Sequence, residues 1–388
     1  MRLVVISHKI CWRNSNSLSG FATDGGFPLQ MKAISELFSE TRILVPCDSA
    51  AVNSGLTNLE GNNLNVCPLA IPGGEGLKRK INMLGWLVKN GRIIWREVRR
   101  ADAVHTPIPG DVGTIGMLFA LVLRKPLFVR HCGNWFVQRT LAEHFWKWSM
   151  ERWAGGRNVM LATGGAAEMP SKRNPNLKWI FSTSLRQAEL IGTAPRELPR
   201  DGKIKLIIAC RQEKGKGTDI VIAGLPAVLE AFPNVTLDVV GGGSALASLK
   251  EQTAALGLDG RIVFHGKVEQ SRVVALLKQA HLFCYPTASE GFPKVVLEAL
   301  ACGLPVITTK VSVLPQLIGA GGGMLLDEAS VPAVVEAVKE ICADEAAYNR
   351  MSAAAIATAQ KYSLENWRDF IGETLRESWK VSSLSATS

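Results

Sequence analysis

At 388 residues the chain exceeds one ordinary domain, and a hydrophobic share of 47% is that of a globular protein rather than a disordered one. A formal charge of +10 favours an anionic partner: a nucleotide, a nucleic acid or an anionic membrane surface. The cysteines Cys11, Cys47, Cys67, Cys132, Cys210, Cys284, Cys302 and Cys342 form no C-x-x-C pair. Neither a zinc site nor a disulfide framework is indicated, and a reducing cytosol is expected.

Taken in order, Leu3 to Ser7 reads as an opening strand, too short an apolar run for a secretory signal, and a polar loop is expected up to Asp24. Gly25 and Gly26 then precede Phe27 to Phe38, whose apolar residues recur at helical spacing. A strand, a glycine turn and a helix make half of a nucleotide-binding β-α-β unit, although a bare Gly-Gly is equally an ordinary turn. Further strands are expected at Arg42 to Pro46, Asn65 to Ala70, Ala103 to Thr106, Pro126 to His131 and Asn158 to Ala162.

Two stretches of this half stand out. From Lys78 to Arg100, Ile81, Leu84, Leu87, Val88, Ile94, Trp95 and Val98 recur at helical spacing. Eight cations accompany them (Lys78, Arg79, Lys80, Lys89, Arg92, Arg96, Arg99, Arg100) against the single acid Glu97. Such a helix either lies in an anionic membrane interface or turns its apolar side to its own core, with Gly85 and Gly91 interrupting it. Trp135 to Trp153 is dense in aromatics, which suit a core, a sugar face or a membrane interface. The longest apolar block, Gly113 to Leu123, is well short of the ~20 residues that span a bilayer. The chain reads as soluble or resting on a membrane.

A proline- and charge-rich run, Thr193 to Lys203, marks the expected domain boundary. Strands then alternate with helices: Ile204 to Ala209, Thr218 to Ala231, Val235 to Val240, Ala245 to Ala255, Arg261 to His265, Val268 to Ala280. This alternation means a doubly wound parallel sheet, whose ligands sit at the carboxyl ends of its strands. At those ends fall Arg211 and Lys216, then Gly241 to Ser244, then Lys267, then Glu290. The stretch His281 to Thr309 makes a β-α-β crossover, with Pro293 opening the helix and Gly303 and Pro305 closing it. Its acids are unusual: Glu290 stands before the helix and Glu298 two turns inside an apolar run, where a carboxylate is costly unless something polar meets it. Glu298 either pairs with Lys294 or serves a ligand, and a helix N-terminus beside it suits a phosphate. From Val331 the chain is helical, ending in an amphipathic helix Leu364 to Lys380 and a small polar tail, Val381 to Ser388, expected to be disordered.

These residues resemble the retaining GT-B glycosyltransferases of family 4. The E-x7-E motif stands as Glu290 and Glu298 in EGFPKVVLEALACGLPVI, and Arg211 with Lys216-Gly217 in CRQEKGKGTD matches the family's cationic element. VVGGGSALASL, with Gly242, matches its glycine turn, and RIVFHGKV, with Lys267 and Val268, its base-side loop. Over the first half the resemblance is looser, resting on Gly25-Gly26, HTPIPGDVG and His131 in VRHCGNW.

The resemblance implies two Rossmann-like α/β domains facing across a cleft that closes on the donor, an acceptor-binding one at 1–198 and a donor-binding one at 199–364. A C-terminal helix and tail, 365–388, would cross back to the first domain. Arg211 and Lys216 would hold the donor diphosphate as the glycosidic bond breaks. Glu298 would bind the ribose and Glu290 the sugar. Gly291, Phe292 and the backbone N–H groups of Lys294 and Val295 would complete the donor site, Pro293 having no N–H to offer and standing where many relatives carry glycine. His131 would lie near the sugar's reactive face, and Gly25 and Gly26 would let backbone approach the phosphates. The implied enzyme is a retaining hexosyltransferase with no cofactor, and the chain contains no D-x-D for a metal. Its donor would be a UDP-sugar in the first instance or a GDP-sugar. Its acceptor would be a glycan or glycolipid of cell-surface polysaccharide or lipopolysaccharide synthesis. It would work in the cytoplasm, peripheral on the inner face of the cytoplasmic membrane, with no nucleic-acid partner, because no recognition motif accompanies the charge. The competing readings are a non-catalytic scaffold subunit of the same fold, and a nucleotide-sugar epimerase or hydrolase.

Overall fold

The computed structural model describes residues 1–48, 55–74, 76–138, 140–166, 168–190, 192–382 and 384. The chain divides into two compact units, Met1–Ser184 with Leu364–Ser388, and Leu185–Ser363. The proline-rich run expected to be the boundary lies inside the second unit. Leu190 and Ile204 are buried in that unit's core and Leu198 packs against it. Arg196 also anchors the run, its N–H donating to Ser352 and its guanidinium to the carbonyls of Leu277 (3.2 Å) and Ala280 (2.6 Å). Composition marks a linker; these contacts dock it.

The first unit holds strands β1 (Arg2–Ile6), β2 (Cys11–Arg13), β3 (Phe21–Thr23), β4 (Glu40–Asp48), β5 (Thr57–Asn58), β6 (Leu64–Leu69), β7 (Ala103–Ile108), β8 (Leu127–His131), β9 (Asn158–Thr163) and β10 (Lys178–Ile180). They run in the order β10-β9-β8-β7-β1-β4-β2-β3-β5, with β6 also on β4. Side-chain alternation gives the sheet two apolar faces. Leu3, Val5, Ile43 and Phe128 pack with Met31, Ile34, Trp367 and Ile371 of the helices Phe27–Ser35 and Leu364–Trp379. Val4, Ile6, Leu44 and Val129 pack on the other face under the helices Gly76–Arg100, Asp111–Val122 and Leu141–Trp153.

Three expectations change here. The polar loop before Asp24 contains β2 and β3, paired antiparallel through Trp12 and Ala22. Cys11 and Cys47, register partners on the parallel strands β2 and β4 with Cα atoms 4.7 Å apart, form a disulfide. Sequence spacing across 36 residues does not show that pairing. In the tail, Leu384 is buried in the core and its carbonyl accepts from the Met1 amino group; residues 383 and 385–388 of the expected disordered stretch lie outside the described residues.

The second unit holds β11 (Lys205–Ala209), β12 (Thr236–Val240), β13 (Ile262–Gly266), β14 (Leu282–Tyr285), β15 (Val306–Thr309) and β16 (Gly323–Leu326). Every pairing in the order β13-β12-β11-β14-β15-β16 is parallel. The helices Thr218–Ala231, Leu246–Ala255, Gln270–Gln279 and Lys294–Ala301 connect them, as the alternation predicts, and a single core of buried aliphatic residues fills the unit. Among the described residues no helix is long and apolar enough to cross a membrane.

Candidate functional site

Four adjacent parallel strands of the second unit end in the loops that carry the sequence-predicted residues. Arg211 and Lys216 follow β11, Gly242 follows β12, Lys267 and Val268 follow β13, and Glu290 to Phe292 follow β14. Glycine makes this close approach of loops feasible. A Cβ on Gly217, whose φ is +84°, would strike the Pro286 carbonyl oxygen, and one on Gly243 would strike the Gln212 backbone. Gln212, fully buried, ties the loops together. Its N–H donates to Gly242 (3.0 Å) and its carbonyl accepts from Ala245 (2.9 Å). Its side chain donates to Val240 O (2.9 Å) and accepts from the Thr218 hydroxyl (2.7 Å). Gln212 carries no signal in the sequence beyond its place next to Arg211 in the motif.

Lys216 and Glu290 meet directly. The Lys216 ammonium donates to Glu290 Oε1 and to the Ser289 carbonyl (3.1 Å), and both charged side chains are mostly buried. Tyr285, the last residue of β14, donates its hydroxyl to the same Oε1. Both bonds fall on Oε1, and Oε2 of Glu290 takes no hydrogen bond among the described residues. Burial first, and the Glu290 charge second, push the Tyr285 pKa upward, so it stays a phenol donor. The β14 loop is pinned by Thr308 and Thr309, whose hydroxyls donate to the carbonyls of Tyr285 (2.7 Å) and Thr287 (2.5 Å). Arg211 is three-quarters exposed and lies 3.3 Å from Glu213, a surface pair easily exchanged for an anion.

Glu298 occupies the helix Lys294–Ala301 among Val296, Leu297, Ala299 and Leu300, with 7% of its surface exposed. Burial raises its pKa, opposed by a hydrogen bond from Gln270 and, less strongly, by the Lys294 charge. The helix-face pairing with Lys294 is thus the weaker of the two, and Gln270 of the neighbouring helix is the leading partner. Pro293 stands at the cap rather than inside the first turn, with no side-chain hydrogen bond to the first amides. The N–H groups beside Lys294 and Val295 begin that helix, as expected.

The other candidates belong to the first unit. Gly25 has a φ of +73° and open space where a Cβ would stand, just before Gly26 caps the helix Phe27–Ser35. Asp24 beside it pairs with Lys9 at 2.5 Å. His131 closes β8, its ring edge-on to Trp135 at 5.2 Å. Burial pulls its pKa down to about 4, against a smaller opposing pull from the Gly133 backbone, so it is neutral at pH 7. Nearby on β8, the buried Arg130 donates to Gln30 Oε1 (2.8 Å) and lies over Trp367 (4.9 Å).

The basic helix Gly76–Arg100 runs unbroken through Gly85 and Gly91 and carries two apolar faces. Trp86, Ile94 and Val98 are buried in the core, while Ile81, Leu84 and Val88 are 70%, 71% and 81% exposed on the opposite side. Lys78, Lys89, Arg92, Arg96, Arg99 and Arg100 are exposed alongside them. On the neighbouring helices Leu118, Val122, Leu141 and Trp148 are exposed as well. The three helices adjoin through Trp95 against Phe119 (5.3 Å) and the Trp146 indole N–H donating to Thr114 (2.8 Å).

Residues 193–358 match the family described as Glycosyl transferases group 1. A GDP-mannose-dependent alpha-(1-6)-phosphatidylinositol monomannoside mannosyltransferase of Mycolicibacterium smegmatis is 30% identical over 161 residues, 39% of this chain and 41% of that protein. The matching stretch thus spans about two-fifths of that relative's length. Anabaena Alr3699/HepE, solved in complex with UDP, superposes with a TM-score of 0.68 at 16% identity, covering 97% of this chain and 100% of that one. WaaG, a glycosyltransferase involved in lipopolysaccharide biosynthesis, superposes with a TM-score of 0.64 at 13% identity, covering 97% and 99%. These likenesses show the fold, which is GT-B. The stretch that matches the glycosyl transferases group 1 family, residues 193–358, carries Arg211, Lys216, Glu290 and Glu298.

Proposed function

We propose that this chain is a retaining glycosyltransferase that moves a sugar from a nucleotide-sugar donor to a lipid-borne glycan acceptor of cell-surface polysaccharide or lipopolysaccharide synthesis. The observation that carries the reading is the cluster of Lys216, Glu290 and Tyr285 beside Arg211, at the carboxyl ends of a parallel sheet. Lys216 and Arg211 would neutralise the leaving diphosphate, which makes the charge of a metal unnecessary to the mechanism. The Glu290 carboxylate would then turn its unpartnered Oε2 to the sugar, and Glu298 would accept from the ribose hydroxyls. A UDP-sugar is the first choice of donor, supported by the UDP complex of Alr3699/HepE. A GDP-sugar is the second, supported by the donor named for the mycobacterial relative.

The acceptor's lipid character rests on the exposed apolar and basic surface of the helix Gly76–Arg100 and its neighbours, a chemistry that fits the anionic inner face of the cytoplasmic membrane. The test incubates radiolabelled UDP-glucose or GDP-mannose with the protein and a bacterial lipid extract. Label is expected in the organic phase, reduced about a hundredfold by Glu290→Gln, the scale of loss when one transition-state electrostatic contact is removed. Full conversion of donor without lipid would instead support an epimerase or hydrolase. No conversion under any condition would support the scaffold reading.

A further inference from the structure

The first unit contains a cavity of about 500 Å³, lined by His144, Lys147, Trp148, Glu151 and the segment Pro170 to Arg173, that plays no part in the donor chemistry described above. Its volume falls within the range of small-molecule sites. One wall is the half-exposed indole of Trp148, braced by Phe145 (6.0 Å) and Trp153 (5.6 Å), with Pro170 also lining the cavity. A flat aromatic held in place in this way suits the apolar face of a sugar ring.

The remaining lining is cationic. Lys147, Lys172 and Arg173 contribute three positive charges, and Glu151 is the one acid. Glu151 is already occupied: Oε1 accepts from the Ser171 hydroxyl (2.9 Å) and Oε2 lies 3.7 Å from Arg173. Lys147 has no carboxylate partner among the described residues. It makes only long contacts to Trp135 O and Gln138 Oε1, both 3.4 Å, and stands over the Trp135 ring at 5.2 Å. Lys172 pairs with Glu168 at 3.3 Å, but both are largely exposed, and such a pair holds the lysine weakly. His144 bonds Thr140 O through Nδ1. An anion entering here meets more donors than acceptors. The Trp135 indole that carries Lys147 on one contact receives His131 on another, so the cavity lies one ring away from His131.

We propose that this cavity binds an anionic sugar, a phosphorylated or carboxylated unit stacked on Trp148 with its charge met by Lys147, Lys172 and Arg173. That this sugar belongs to the acceptor rests on the transferase reading; the site itself does not. The experiment titrates the full chain with glucose 6-phosphate, glucuronate, glucose and UDP, by calorimetry and saturation-transfer NMR. Both anionic sugars bind and glucose binds at least tenfold more weakly. Lys172→Ala/Arg173→Ala and Trp148→Ala each weaken glucose 6-phosphate at least tenfold, while melting temperature and UDP affinity stay unchanged. Competition by phosphatidylinositol in phosphatidylcholine vesicles, absent with phosphatidylcholine alone, assigns the anion to a lipid head group; its failure assigns it to a soluble glycan. Equal binding of glucose and its phosphate, undiminished binding by the variants, or displacement of the sugar by UDP overturns the proposal. Binding of glucose 6-phosphate without any nucleotide binding leaves the site standing and removes the transferase reading.

Discussion

Tyr285 shows what single residues do that their sequence does not announce. It lies in an apolar run, LFCY, that reads as core, yet its hydroxyl reaches Glu290 Oε1, the oxygen that also accepts from Lys216. Tyr285→Phe keeps the ring and its packing. It is expected to lower turnover about tenfold, near the worth of one hydrogen bond to a charged group, and to leave UDP affinity unchanged. Kinetics and calorimetry on the same preparation check both. Buried histidines make a second prediction. His105, stacked on Phe128 at 4.2 Å, has its pKa lowered to about 3 by burial, and His131 and His281 are lowered to about 4 by the same cause. Above pH 6.5 both folded and unfolded chains hold them neutral and stability is unaffected. As pH falls below 6.5 the unfolded chain takes up protons that the folded chain refuses, so stability declines, by about 1.4 kcal/mol per pH unit from His105 alone. Melting curves from pH 7.5 to 4.5 should show this slope, made shallower in His105→Phe; an unchanged slope would contradict it.

At the scale of elements, Glu97 anchors the basic helix. It is 1% exposed and meets Arg2 (2.8 Å) of β1, Arg42 (3.2 Å) of β4 and Arg96 (3.3 Å) of its own helix. Glu97→Ala leaves three arginines without their shared acid and should cost about 3 kcal/mol in denaturant unfolding. Arg92→Glu/Arg99→Glu/Arg100→Glu, at exposed positions that do not pair with Glu97, should instead spare the fold and weaken binding to phosphatidylglycerol vesicles by cosedimentation; unchanged binding would remove the membrane face. The strands and helices around the second unit's site were legible because apolar runs of strand length alternate with helical periods there. Gly217, Gly241 and Gly243 mark the turns where loops touch. What sequence hid came from pairing across distance. β2 and β3 have three residues each, too few for a pattern, and the disulfide joins β2 to β4 across a strand pairing. The outward apolar stripe of the helix Gly76–Arg100 was read as one face with the inward one, because periodicity counts apolar positions without saying which side the core lies on.

Across the whole molecule, most residues of the proposed donor site fall in one unit. Arg211, Lys216, Glu290 and Glu298 all belong to Leu185–Ser363, so nucleotide recognition should depend on their loops and on the buried Glu298. The most direct measurement is the melting temperature of the full chain against UDP, GDP, ADP and their common sugars, for wild type and Glu298→Ala. A ligand at a hundred times its dissociation constant adds about 2.7 kcal/mol, a visible rise. The account predicts that one nucleotide class, UDP first, raises the wild-type melting temperature and that Glu298→Ala loses the rise. A wild type indifferent to every nucleotide at millimolar concentration, or a variant that keeps the full rise, would contradict it.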